Sequence, residues 1–210
     1  KNKNKKLKAV TNKKIPKVDI GEDIKLFQKY VVGLLPKDSS LVSVVDAPDR
    51  PTYKLNVAGK TKVVAFAQAN VTPKYEGGLT QTYTHESVPK SRQKLFKKNS
   101  SFHHGTGIRP YDTSDKHCPD FYVSFVHSRD NKKLGCFVFT KQSLVDGRYI
   151  AKDYVGGTIS FRVWPTWAPE DGMSDACKNK REWMYPYWIE LDGKMTKAEL
   201  KKHAAGKQMC

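Results

Sequence analysis

Asp120 and Lys141 are the two residues of this 210-residue chain whose types and spacing come nearest to a catalytic pair. Pro119-Asp120 opens one apolar run, PDFYVSFVHS, and Lys141 closes the core of the next, LGCFVFTK. A metal-dependent nuclease needs acids to hold a divalent cation and a lysine to orient or deprotonate water. An acid and a lysine on neighbouring strands supply half of that arrangement. The second run carries no Glu or Gln to complete it, so Asp120 reads first as a turn or ion-pair residue. Mg²⁺ enters only under the nuclease reading. His103, His104, His117 and Cys118 are donors of the right type for tetrahedral zinc. Two adjacent pairs about a dozen residues apart fit no ligand framework, however, and loop histidines facing solvent are the plainer reading. No metal or cofactor is expected. Cys118 follows His117, but sequence neighbours rarely meet in an attacking geometry, and a cysteine nucleophile is set aside.

A second group of residues suits phosphate and base recognition. Residues 87–109, SVPKSRQKLFKKNSSFHHGTGIR, carry six Lys/Arg and no acid, interleaved with Phe96 and Phe102. Cations for phosphates beside aromatic faces for bases are what a single-stranded nucleic acid requires. The candidate contacts are Lys90, Arg92, Lys94, Lys97 and Lys98, with Lys132, Lys133, Arg148 and Arg162 elsewhere. Arg162 sits in TISFRVWPTW beside Trp164 and Trp167, where a guanidinium can stack on an indole or clamp a phosphate. With Tyr154, Trp183, Tyr185, Tyr187 and Trp188 these form a candidate stacking platform; the alternative is the packed end of a sheet.

Composition points the same way. The net charge is +17, from 38 Lys/Arg against 21 Asp/Glu. Residues 1–18 hold eight lysines and no acid, which leaves +9 on the rest of the chain. A polyanionic partner follows, nucleic acid before anionic lipid. The 38% hydrophobic content is enough for a core. No apolar run is long enough for a transmembrane helix, and no segment has the pattern of a secretory signal. Cys118, Cys136, Cys177 and Cys210 show no CxxC spacing, so reduced thiols and an intracellular setting are expected.

The elements that must position these residues can be read from periodicity. Ile24, Phe27, Val31 and Leu35 share one helical face, with Glu22 and Asp23 in the first turn and Pro36 as the stop. Tyr53 to Val57 and Val63 to Ala69 flank Ala58-Gly59 and predict a hairpin. Leu79 to Tyr83 is a further short strand. In the stretch from Pro119 to Pro169, three runs rich in Phe, Val, Ile and Tyr read as adjacent strands. Phe121, Val123 and Phe125 alternate with Tyr122, Ser124 and Val126, so both faces of that strand should be covered. Ser174 should cap a helix through Met184, YPYWIEL should return as an edge strand, and Thr196-x-x-Glu199 is a capping box. The elements do not alternate as regular βαβ units. An α+β fold follows, a single domain with a central mixed sheet flanked by helices. Residues 1–18 would be a basic flexible arm, 19–191 the domain with 87–109 as a basic loop insertion, and 192–210 a C-terminal helical extension.

LGCFVFTKQSL, followed about 20 residues later by SFRVWPTW and then by REWMYPYWIEL, resembles the MepB-like family. GIRPYDTSDKHCPDFYV and NVAGKTKVVAFAQANVTPKYEG are similar to its other strand-forming stretches, and the resemblance runs roughly from Pro51 to Leu191. It implies an α+β nucleic-acid-binding domain related to the restriction-endonuclease-like nucleases. The chain departs from the family pattern at Ala65–Asn70, where the family carries an arginine and a lysine.

The expectation is a non-catalytic, basic nucleic-acid-binding domain, RNA before DNA, serving as a subunit of a larger ribonucleoprotein with protein partners. The alternatives are a metal-dependent nuclease using Asp120 and Lys141, or a structural subunit that meets another protein through an aromatic face.

Overall fold

The computed structural model describes residues 19–44, 50–72, 75–85, 87–88, 90–94, 108–171, 173–194 and 196–199. The basic arm 1–18, Lys97, Lys98, Phe96, Phe102, His103, His104 and most of the C-terminal extension lie outside them.

The chain folds as one α+β domain around a mixed sheet of six strands in the order β1-β2-β3-β8-β9-β11. These are β1 (Ser40–Ser43), β2 (Thr52–Val57), β3 (Lys60–Gln68), β8 (Phe121–His127), β9 (Leu134–Thr140) and β11 (Trp188–Glu190). All neighbours are antiparallel except β3 and β8, which run parallel with Val64 opposite Phe121. A small second sheet, β10-β5-β4, combines β4 (Asn70–Thr72), β5 (Tyr75–Gln81) and β10 (Ser160–Val163). A two-stranded pair joins β6 (Tyr83–Thr84) to β7 (Arg109–Pro110).

The alternation read in the central strand holds. Phe121, Val123 and Phe125 face one layer with Val64, Phe66, Ile24 and Phe27. Tyr122 and Val126 face the other with Phe137, Phe139, Phe161 and Trp164. Helix α1 (Ile20–Tyr30) supplies the first layer. Asp19 caps it by accepting from the Gly21 N–H at 2.9 Å, and Phe27 packs edge-on against Phe66 at 5.3 Å. Burial of each such side chain is worth about 1.5–3 kcal/mol. Inside this apolar layer Asp23 is 1% exposed, and it accepts from Gln68 at 2.7 Å and meets His127 at 2.9 Å, tying α1 to two strands. The helix ends at Tyr30, earlier than expected, and a 3₁₀ turn (Val32–Leu34) leads to Pro36.

Two further expectations change. The run TISFRVWP is β10 and does not join β9: it pairs with β5 in the small sheet, which covers the second face of the large one. The run LGCFVFTKQSL is a strand only as far as Thr140. There the Thr140 hydroxyl accepts from Ser143 N–H at 3.1 Å and starts helix α2 (Lys141–Asp146). The capped helix at Ser174 forms as read and is α3 (Asp175–Met184). The capping box closes too, with Thr196 N–H donating to Glu199 at 2.8 Å and Glu199 N–H to Thr196 at 3.3 Å.

Candidate functional site

The residues that drew attention first meet at the end of the large sheet where β8 begins. Asp120 and Lys141 face each other across the β8–β9 pair, Nζ to Oδ1 3.7 Å, each about one-third exposed. The other carboxylate oxygen of Asp120 accepts from Val63 N–H at 2.9 Å and so locks β3 beside β8. Behind this pair lies a knot of charge. Arg109 donates both guanidinium arms to Asp115 at 2.7 and 2.6 Å, with both side chains almost wholly buried. Asp115 also accepts from Asp112 N–H at 2.7 Å. Asp112, fully buried, accepts from Ser114 N–H at 3.0 Å, from the Ser114 hydroxyl at 2.6 Å and from Tyr154 N–H at 2.6 Å. Tyr154 adopts φ +61° to bring its N–H there.

Every carboxylate of this corner is therefore committed to protein donors. Among the described residues no three His, Cys, Asp or Glu side chains are grouped to hold a metal ion. Asp120 and Lys141 make an ion pair that joins strands, and Phe139, two residues before Lys141, packs into the core. Cys118 is buried beside them. Burial first, then the carboxylates of Asp115, Asp112 and Asp120, pushes its thiol up to about 12 against the pull of Lys141. A buried thiol held protonated is a poor nucleophile.

The aromatic set divides. Trp164, Trp188 and Tyr154 are buried, so they belong to the core and offer no face to a base. For Trp164 this corrects the expected contact: β10 turns its odd-numbered residues and the following indole inward. Trp183 and Tyr187 are half-buried; Trp183 stacks on Phe139 and Tyr187 packs against it at a tilt. Trp167 is different. It is half-buried, packs edge-on against Trp188 at 5.0 Å, and carries the Lys133 ammonium 5.8 Å from its ring centre. Two expected contacts thus meet.

Among the described residues the candidate cations stand at separate places on the fold. Lys132 and Lys133 are exposed at the β8–β9 turn, with Lys132 3.6 Å from Asp130. Arg148, also exposed, follows α2 at the opposite end of β8, about 23 Å away for seven residues of strand. Lys90 and Arg92 lie in an exposed 3₁₀ turn (Lys90–Arg92), followed by exposed Lys94. That segment leaves by β6 and returns by β7 beside Tyr111 and Tyr122, near the start of β8. Arg162 points outward from the small sheet, opposite Leu79, between the two ends. Among the described residues, Lys90, Arg92, Lys94 and Arg148 have no carboxylate partner.

One residue with a central place was not read from the sequence. Arg50 donates to Tyr122 Oη at 2.7 Å, to Tyr83 O at 3.1 Å and to Gln81 O, and lies over the rings of Tyr83, Tyr111 and Tyr122. It binds the β6–β7 pair to the large sheet. Only the Pro51 that follows it marks the position in sequence, and that signal carries no partner.

A model of the MepB-like family matches residues 52–190. The chain belongs to the MepB-like family. The match runs from the first residue of β2 to the last of β11, close to the Pro51–Leu191 span of the resemblance, and leaves α1 and β1 outside. The fold of this MepB-like chain is similar to a crystal structure of MepB, with a TM-score of 0.51 and 18% identity, over 81% of this chain and 98% of that one. No curated protein matches it. The departure from the family pattern at Ala65–Asn70 falls largely on interior positions: Ala65, Phe66, Ala67 and Ala69 are buried, and Gln68 is held by Asp23.

Proposed function

We propose that this protein binds nucleic acid, RNA in preference to DNA, without cutting it, as one component of a larger ribonucleoprotein. The observation that carries the reading is the surplus of cations, with seven of the candidate contacts exposed. The acids Asp23, Asp112 and Asp115 are turned inward and consumed by internal donors, while Lys90, Arg92, Lys94, Lys132, Lys133, Arg148 and Arg162 stand at the surface. A chain of net charge +17 built this way presents more cations than anions. The Lys133–Trp167 contact adds an aromatic face beside a phosphate-binding cation, which favours an unpaired strand over a duplex. RNA would run from the base of the 87–109 segment past Arg162 to Trp167.

The test is incubation of the full chain with labelled single-stranded RNA and DNA, with and without Mg²⁺ or Mn²⁺. Retention without shortened products, and tighter for RNA, supports the reading. Metal-dependent products that disappear in Asp120→Asn would replace it with the nuclease reading, and no retention at low salt would overturn both.

A further inference from the structure

On the opposite face of the large sheet, α1 is too short to cover what lies beneath it. The helix packs through Ile24 and Phe27 on Phe66 and Phe125 and then turns away at Val31. Between that turn and the β2–β3 hairpin lies a pocket of about 310 Å³, floored by Leu55, Val64, Phe121 and Val138. Interiors pack to the density of organic crystals, so a hole of this size is far beyond ordinary packing defects. It falls at the lower end of the range typical of small-molecule sites.

Every lining residue is apolar except Lys60 and Lys62. These stand two apart on β3, hence on the same face and about 7 Å from each other. Neither has a carboxylate partner among the described residues. An apolar chamber with two ammonium groups and no acid selects an apolar body with an anionic head. The chain's own remaining segments do not offer one: 1–18, 95–107 and 200–210 contain no Asp or Glu. Residues 45–49 do, but they join β1 to β2 at the Ser43–Tyr53 end, six residues of strand away from the hairpin turn at Ala58 and Gly59.

We propose that this pocket binds a single-chain fatty carboxylate, its hydrocarbon tail between α1 and the sheet and its head group held by Lys60 and Lys62. At roughly 30 Å³ for each water-sized group, the volume suits a tail of about ten carbons. The site shares no residue with the proposed nucleic-acid path, so either can fail alone.

Calorimetric titration of the full chain with octanoate, decanoate and dodecanoate below their micelle concentrations tests it. Saturable one-to-one binding is expected, tightening roughly fourfold per added methylene until the pocket is full. Decyltrimethylammonium should bind at least tenfold more weakly than decanoate. Lys60→Glu/Lys62→Glu, at surface-reaching positions, should weaken decanoate at least tenfold and leave decanol unchanged. Methyl spectra of the wild-type protein give an answer independent of any variant: decanoate should move Val31, Val32, Leu35 and Leu55. Absence of saturable binding, no dependence on chain length, shifts confined to other methyls, or undiminished decanoate affinity in the double variant would each overturn the proposal.

Discussion

Arg109 and Asp115 show how much of this protein's charge is spent on its own architecture. Two parallel bonds at 2.6 and 2.7 Å inside a nearly closed pocket make the pair worth little against a well-packed apolar substitute, but removing one partner strands the other. Asp115→Asn should cost about 3–5 kcal/mol in urea unfolding, whereas substituting exposed Arg148 should cost less than about 0.5 kcal/mol. The buried thiols make a second prediction at this scale. Burial pushes the Cys118 thiol up to about 12 and that of Cys136 upward as well, and the fully buried Tyr122 hydroxyl shifts in the same direction. The folded state therefore holds protons that the unfolded chain loses above the ordinary thiol value of 9.0. The stability these groups contribute is complete below pH 9 and falls as pH rises toward 12. Urea midpoints should drop across that window, with a shallower fall in Cys118→Ala. At pH 8 iodoacetamide should label half-buried Cys177 before Cys118 or Cys136, read by mass spectrometry of peptides.

Among the elements, the β2–β3 hairpin turns through Ala58 at φ +47° and Gly59 at φ +72°. Two consecutive left-handed residues make the tight turn that suits the twist of the strands, and asparagine occupies the first position at lower cost than alanine. Ala58→Asn should raise stability by about 0.5–1 kcal/mol, measured by thermal or urea unfolding. This hairpin was legible because Ala-Gly stands between two alternating runs. α1, the α3 cap and the two-faced pattern of β8 were legible for the same reason, since each is a local periodicity. What sequence could not supply was pairing at a distance. Val64 meets Phe121 across 57 residues of chain, and β10 returns to β5 rather than to its sequence neighbour β9. α2 hid inside an apolar run because one threonine hydroxyl decides where the strand ends. Trp164 read as a stacking face because it shares the parity of outward-pointing Arg162, whereas β10 ends at Val163 and the indole beyond it turns into the core.

At the scale of the whole molecule, the large sheet has two occupied faces with different uses. One carries α1 and the apolar pocket, and the other carries the small sheet and the buried Arg109–Asp115 and Arg50 knots that hold the loops. The surplus of cations is left to the surface and to the segments beyond the sheet. No described helix is long and apolar enough to cross a membrane. Asp120 and Lys141 meet as expected, and their surroundings make them a strand clasp, because each neighbouring carboxylate already has its donors. The candidate cations among the described residues stand toward two ends about 23 Å apart, a span that an extended strand of a few nucleotides can bridge.

The most direct measurement is the salt dependence of RNA binding by the wild-type chain and by Lys90→Ala/Arg92→Ala/Lys94→Ala, both checked for equal stability. On a single strand each neutralised phosphate contributes about −0.7 to the slope of log affinity against log salt. The wild type should show a steep negative slope, flattened by about 2 in the variant. A wild-type slope near zero, or one the three substitutions leave unchanged, would contradict the proposed RNA contact.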